Sequence, residues 1–424
     1  MKIICDYCGG KLNIPDDKIA GRKVRLRCPK CGEQILVVGA PTQLVERVNC
    51  GQATGGKKFL HTADWQIGMK AQSVGDAGPR VREERLAAGK RVVDVARRHG
   101  AEFIVVAGDT FEDNAVDRIL VQKVADILGA FDGPVFIIPG NHDPLTPGSV
   151  WEHPVWRSWA NIRVLREAAP VELVGAVLFP CPAMEKHSGA DPIAWIPPDD
   201  KTVIRIGLAH GTVEGVRQDE PDYPIPRDAA ARAGLNYLAL GHWHSYAVYP
   251  GAGNAPAMAY SGTHETTKFG ERDSGNALIV EITGPGAPPT ITPIRTGGLV
   301  WMSLDREVRE RGDLEQVRAD LEAIGNPDTT LIDIRLGGLL MAEERTEVGR
   351  IREILEARFL AGRLDDSRLL PSPADDSWLL SLPPGIIQAT ANRLREIAGT
   401  PGEQSQTAGR ALLELYAIAG EVGR

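Results

Sequence analysis

The chain has 424 residues, 43% hydrophobic and 25% charged, with a formal net charge of −8. That length exceeds one ordinary domain and predicts two or three, and the want of any long apolar run argues against a membrane-spanning helix. The acidic balance removes the simple electrostatic argument for a nucleic-acid ligand, so a DNA substrate calls for metals, a local basic patch or a partner.

The opening residues Met1-Lys2-Ile3-Ile4-Cys5-Asp6 lack the apolar core of a secretory signal, so the expected location is the cytoplasm, free or with the nucleoid. The six cysteines agree with it: Cys50 and Cys181 stand alone and four form two CxxC pairs, unlike a disulfide framework. Those pairs, Cys5-Asp6-Tyr7-Cys8 and Cys28-Pro29-Lys30-Cys31, are separated by nineteen residues and followed by Gly9-Gly10 and Gly32. Two residues between cysteines let one tight turn offer two thiolates, and the glycine lets the backbone fold beneath the ion. Two such knuckles complete a tetrahedral four-sulfur site, hence a structural zinc held by Cys5, Cys8, Cys28 and Cys31. A redox pair is the competing reading, but such motifs usually come singly, at a helix start. Residues 1–39 resemble the small zinc ribbons at the head of many bacterial proteins. Lys18, Arg22, Lys23, Arg25, Arg27 and Lys30 make the module basic, which fits nucleic acid, a protein-docking knob or a solvated face. Residues 40–56 read as a linker.

From residue 57 the pattern becomes strand and helix in alternation. Lys58 to Ala63 reads as a strand ending in Asp64-Trp65-Gln66. Arg80 to His99 has helical periodicity, and Phe103 to Ala107 is a buried strand ending in Gly108-Asp109. Val116 to Ala130 is a second helix. Pro134 to Pro139 is a strand ending in Gly140-Asn141-His142-Asp143. Val171 to Phe179 reads as a hairpin turning near Gly175. Val203 to Ala209 leads to His210, and Tyr237 to Leu240 leads to Gly241-His242-Trp243-His244. Ala257 to Tyr260 and Ala277 to Ile282 are expected to close a second sheet. The fold class is therefore α/β, a two-sheet sandwich flanked by helices, with ligands beyond the carboxyl ends of the strands.

The strand ends supply Asp64, Gln66, Asp109, Asn141, His142, His210, His242 and His244, a set of oxygen and imidazole donors without cysteine. That mixture suits manganese, iron or zinc. Asp109 can bridge two ions with its two oxygens. His242 and His244 alternate, so on an extended segment they point the same way and serve neighbouring ions. Two adjacent ions hold phosphoryl oxygens, lower the pKa of a water and stabilise transition-state charge. His142 can then donate to the phosphate or the leaving oxygen, with Asp143 holding its ring in one tautomer.

Asp64-x-Gln66, Gly108-Asp109, Gly140-Asn141-His142-Asp143, His210 and Gly241-His242-x-His244 together resemble the calcineurin-like metallophosphoesterase superfamily, over roughly residues 57 to 300. Leu60-His61-Thr62-Ala63-Asp64-Trp65, Ala107-Gly108-Asp109-Thr110-Phe111 and Tyr260-Ser261-Gly262-Thr263 resemble the nuclease subunit of the bacterial SbcCD DNA repair complex. The resemblance implies one metal held by Asp64, residue 66, Asp109 and His244. It implies a second held by Asp109, Asn141, His210 and His242, with His142 acting on the phosphate. It also implies two manganese ions, exonuclease or endonuclease cleavage of DNA in repair or defence, a coiled-coil ATPase partner of the SbcC kind, and a homodimer within that complex. One position departs: the family has Asp-x-His where this chain has Gln66, a neutral and usually weaker ligand.

After Gly297-Gly298, Asp313 to Ile324 reads as a helix, Thr330 to Leu336 as an alternating strand and Glu344 to Leu360 as an amphipathic helix. By position this resembles the cap that flanks the nuclease site. Residues 362–384 read as loop, and Ile386 to Ala398 and Gly409 to Val422 as helices that pack on their own domain or dock the partner's coiled coil. The expected domains are 1–39 ribbon, 40–56 linker, 57–298 catalytic, 299–362 cap and 363–424 helical. Two other functions stay open: phosphoesterase action on a small substrate such as a cyclic nucleotide, and a DNA-end-binding subunit with an impaired metal centre.

Overall fold

The computed structural model describes residues 2–4, 11–13, 23–27, 34–38, 55–198, 202–215, 222–251, 255–371, 376–402 and 404–422. The four knuckle cysteines and most of the expected linker lie outside those residues. Strands β1 (Lys2–Ile4) and β2 (Lys11–Asn13) pair antiparallel, as do β3 (Lys23–Arg27) and β4 (Gln34–Val38).

Then follow β5 (Lys57–Thr62), α1 (Gly78–Arg98), β6 (Ile104–Ala107), α2 (Arg118–Gly129), β7 (Val135–Ile138) and β8 (Ile162–Val164). Next come β9 (Val171–Leu173), β10 (Ala176–Cys181), β11 (Ile204–His210), the short α3 (Ala229–Arg232) and β12 (Tyr237–Gly241). Strands β13 (Ala247–Pro250), β14 (Pro256–Tyr260), β15 (Asn276–Ile282) and β16 (Thr290–Arg295) complete two six-stranded sheets.

The first sheet runs β16-β15-β5-β6-β7-β8 and the second β13-β14-β12-β11-β10-β9. In the second, the four central strands are parallel with an antiparallel strand at each edge; in the first, β5, β6, β7 and β8 are parallel and the antiparallel β15 and then β16 follow on the β5 side. The strands expected to close one sheet are thus divided: β14 joins the second, while β15 pairs antiparallel with β5 in the first. Both are apolar runs buried on two faces, and such a run does not encode which sheet it joins.

Strand β6 shows how the layers form. Ile104 and Val106 pack with Val92, Val124 and Leu128 of the covering helices. Val105 and Ala107, on the opposite face, pack with Leu178, Ile206 and Tyr237 between the sheets. Burial on both faces removes the polar alternation and leaves a continuous apolar run. Such a strand ends at its first polar residue, here beyond Gly108.

The C-terminal third has β17 (Val300–Val308), α4 (Asp313–Glu322), β18 (Thr330–Leu340), α5 (Arg345–Arg358) and β19 (Ala361–Pro371). They form a three-stranded parallel sheet, with Leu314, Val317, Leu321, Ile351 and Leu355 of the helices packed on Ile332, Ile334 and Leu336. The loop expected from residue 362 is in fact β19, which pairs with β18. Its sequence hid it: an edge strand rich in Arg, Asp and Ser buries little and carries no apolar period.

Helices α6 (Ile386–Ala398) and α7 (Ser405–Val422) share an apolar cluster of Leu379, Leu382, Ala391, Leu394, Leu412 and Leu415. Ion pairs Arg410–Glu310 and Arg309–Glu414 tie α7 to the end of β17, so this pair packs on its own chain.

Candidate metal centre

The parallel strands of both sheets end on one rim. Asp64 follows β5, Asp109 follows β6 and Asn141 follows β7, while His210 ends β11 and His242 follows β12. The β5 and β6 loops run side by side: Asp64 N donates to Gly108 O at 3.1 Å and Gln66 N to Asp109 O at 2.9 Å. Close approach is allowed by two glycines. A Cβ on Gly140 would lie 2.2 Å from Asp109 Oδ1, and one on Gly241 would lie 1.9 Å from Ala107 O.

Four of the expected ligands have left-handed backbone: Asp64 (φ 54°), Gln66 (φ 41°), Asp109 (φ 49°) and His242 (φ 103°). Non-glycine residues with positive φ are uncommon and cost free energy, on the order of 1–3 kcal/mol each when strained. Four of them at three strand ends, those of β5, β6 and β12, show a rim built to aim side chains.

Donor atoms of Asp64, Asp109 and His210 lie within 4.8 Å of one another, and all three residues are buried. His210 Nδ1 donates to Ala107 O at 2.9 Å, which turns Nε2 toward Asn141 Oδ1 at 2.8 Å and Asp109 Oδ2 at 3.3 Å. His242 Nδ1 stands 3.1 Å from the same Asn141 oxygen. Asp64 accepts from His242 N at 2.9 Å.

Burial opposes the charged form of His210, but the carboxylates of Asp109 and Asp64 outweigh it and lift this imidazole to about 9. Burial also works against the Asp109 carboxylate, yet His210 holds it down at about 2. Burial, aided by Asp109, raises Asp64 to about 6. For His242, burial and then the neighbouring His210 charge lower the imidazole to about 4. Asp109 and Asp64 thus favour positive charge at His210. Neutral His210, with its proton on Nδ1 against Ala107 O, offers the Nε2 lone pair toward Asn141 and Asp109. Carboxylate, amide and imidazole donors fit divalent transition metals.

Gln66, Asp109, His142, His242 and His244 line one cleft of about 660 Å³ with Glu112, Lys70, Lys268 and Phe269. Gln66 is buried at its wall. His242 and His244 both face this cleft, although the left-handed backbone at His242 departs from the extended alternation expected there. His244 Nδ1 meets Glu271 Oε1 at 2.8 Å. One expectation fails here: Asp143 does not orient His142. The His142 ring donates through Nδ1 to Glu112 O at 2.9 Å. The buried Asp143 carboxylate accepts from Gly140 N at 2.7 Å and Phe111 N at 2.9 Å, stapling the β6 and β7 loops together. Burial and the Asp109 charge push this carboxyl up to about 7. Asp143 is a brace for the rim.

Sequence reasoning missed Glu271, Asp222 and Arg85. Asp222 accepts from Asn141 Nδ2 at 3.3 Å, which turns the amide oxygen toward His210 and His242. Arg85 is buried and donates to the carbonyls of Trp65 (3.0 Å) and Glu265 (2.9 Å) behind the first loop. No motif spacing announces them, since each meets its partner across 20 to 180 residues. His61, in an expected motif, lies between the sheets against Tyr237 OH at 2.8 Å. Burial lowers it to about 3, so it is a neutral core residue.

Comparison with known proteins agrees with this geometry. Residues 57–246 match the calcineurin-like phosphoesterase model and residues 1–36 a zinc-ribbon domain. The chain is 24% identical over 239 residues to the uncharacterized metallophosphoesterase YhaO of Bacillus subtilis (strain 168). That match spans 53% of this chain and 57% of the relative's length. Among solved structures, TT1561 of Thermus thermophilus aligns at 12% identity and a TM-score of 0.38, over 56% of this chain and 99% of that one. Residues 57–246 thus carry a metallophosphoesterase-like fold and match the calcineurin-like phosphoesterase model, and residues 1–36 match a zinc-ribbon model.

Proposed function

We propose that this chain is a two-metal phosphoesterase that hydrolyses DNA phosphodiesters, as exonuclease or endonuclease, beside a coiled-coil ATPase. The observation that carries the reading is the single rim on which Asp64, Asp109, Asn141, His210 and His242 converge, with His142 at the adjoining cleft. Asp64, Gln66, Asp109 and His244 would hold one divalent cation, and Asp109, Asn141, His210 and His242 the other, with manganese as the preferred metal. When bound, the pair supplies Lewis acidity to phosphoryl oxygens and makes water a better nucleophile.

The chain's own residues do the rest. Asp109 belongs to both ligand sets, and its two carboxylate oxygens would be shared between the two cations. The Glu112 carbonyl only accepts, so the His142 Nδ1 carries the proton and Nε2 is left for the cleft. When the ring is imidazolium Nε2 carries a second proton, which it gives to the leaving oxygen, returning to the neutral Nδ1–H form. Exposed Lys70 and Lys268 on the cleft wall suit the phosphates that flank a scissile bond. Phe269 of the same wall packs edge-on against Trp301 of β17 at 4.9 Å, a contact that supports reading the C-terminal sheet as a cap beside the cleft.

The net charge of −8 favours the second reading, a small phosphoester, because a long polyanion would be repelled. Purified protein with manganese is offered end-labelled single- and double-stranded DNA and bis-p-nitrophenyl phosphate. Metal-dependent DNA cleavage is the expected result. Cleavage of the small ester alone supports the second reading. DNA binding without cleavage, even with an ATPase partner added, points to an impaired centre.

Gln66 sets the metal demand of this centre. Gln66→His is expected to tighten binding of one of the two cations on the order of tenfold, about 1.4 kcal/mol. Histidine tolerates the left-handed backbone at this position. Manganese titration of activity checks it, and an unchanged half-saturation would show that Gln66 does not weaken the site.

A further inference from the structure

The segment that follows β14 touches the metal centre from a side that no strand-end motif marks. Glu271 is nearly buried, its side chain 4% exposed, and its Oε1 lies 2.8 Å from His244 Nδ1. Its Oε2 accepts from Thr267 N at 2.8 Å, and the Thr267 hydroxyl donates to Oε1. Arg272 N donates to Ser245 Oγ at 3.0 Å, which pins the same segment to the loop that carries His244. The carboxylate is therefore held in place on its own account, and His244 is aimed by it.

An ionised carboxylate only accepts hydrogen bonds, so His244 Nδ1 carries the proton and Nε2 presents its lone pair. Outer carboxylates of this kind fix the tautomer and direction of an imidazole ligand and raise its basicity. The need is greater here than where an imidazole stands at residue 66. With Gln66 there, His244 is the one imidazole in the ligand set of Asp64, Gln66, Asp109 and His244.

We infer that Glu271 is the positioning residue of that cation position, locking His244 with Nε2 toward the ion and so offsetting the weak amide ligand Gln66. The inference rests on the two-metal reading above.

The test is calorimetric titration of manganese into the metal-free full chain, with the melting temperature of the metal-free protein measured alongside. The unaltered protein should bind two ions. E271A should weaken one of them by about 10- to 100-fold and leave the other unchanged, with the metal-free melting temperature preserved. E271Q keeps an oxygen acceptor for Nδ1–H and should recover most of the loss, as should Q66H placed on E271A. Unchanged affinity at both ions in E271A, compared with the unaltered protein, overturns the inference. So does E271Q as weak as E271A, or loss at both ions together with a lower metal-free melting temperature, the pattern of a merely structural role. Failure of the unaltered protein to bind ions overturns the two-metal reading as well, and so separates the two failures.

Discussion

Asp109→Asn is expected to lower phosphoesterase turnover by about 10³-fold or more, the several kcal/mol that cation placement contributes to such a transition state. Asparagine keeps the volume of the side chain but offers one oxygen and no charge. It can neither bridge two ions nor balance His210, whose Nε2 stands 3.3 Å from Asp109 Oδ2. Both cation affinities should fall together, unlike the loss at one ion expected from a ligand that serves one position. The fold should survive, because the loop is held by backbone bonds from Gln66 N and by the left-handed turn, which asparagine tolerates as well as aspartate does. Metal titration and turnover on the same preparation check this. Retention of most of the turnover would remove Asp109 from the centre of the site.

His142→Ala should cost about 10²- to 10⁴-fold in turnover with cation affinity unchanged. The ring bonds the Glu112 carbonyl and no ligand side chain, and the contact from His142 N to Asp109 Oδ1 at 2.9 Å is made by backbone that alanine retains. The deficit should depend on the leaving group. A p-nitrophenolate departs without a proton, so bis-p-nitrophenyl phosphate should lose less than DNA, whose leaving alkoxide needs one. An equal deficit on both substrates would mean that His142 holds the phosphate and does not protonate the leaving oxygen.

The rim was legible because burial on both faces makes each central strand a plain apolar run. A polar residue at its end is then conspicuous, and Asp64, Asp109, Asn141, His210 and His242 all stand at such ends. What surrounds the rim was not legible. Glu271 reaches His244 across 27 residues, and Asp222 reaches Asn141 across 81. Neither lies on a period or in a motif, so only the folded chain pairs them. Asp143 misled for a related reason: adjacency in sequence suggested a partner for His142, while its carboxylate is taken up by the backbone of Gly140 and Phe111 and the ring by the Glu112 carbonyl. The strand β19 escaped because edge strands bond through the backbone and need little apolar surface.

The division of the rim between two sheets has a consequence for synthesis. Asp64, Asp109 and Asn141 emerge from the ribosome with the first sheet, and His210, His242 and His244 with the second. The first sheet is still unfinished then, because β15, the partner of β5, ends only at Ile282. A nascent chain therefore carries every ligand before it can close the sandwich that brings them together. The rim thus assembles late and in one step, with the whole domain.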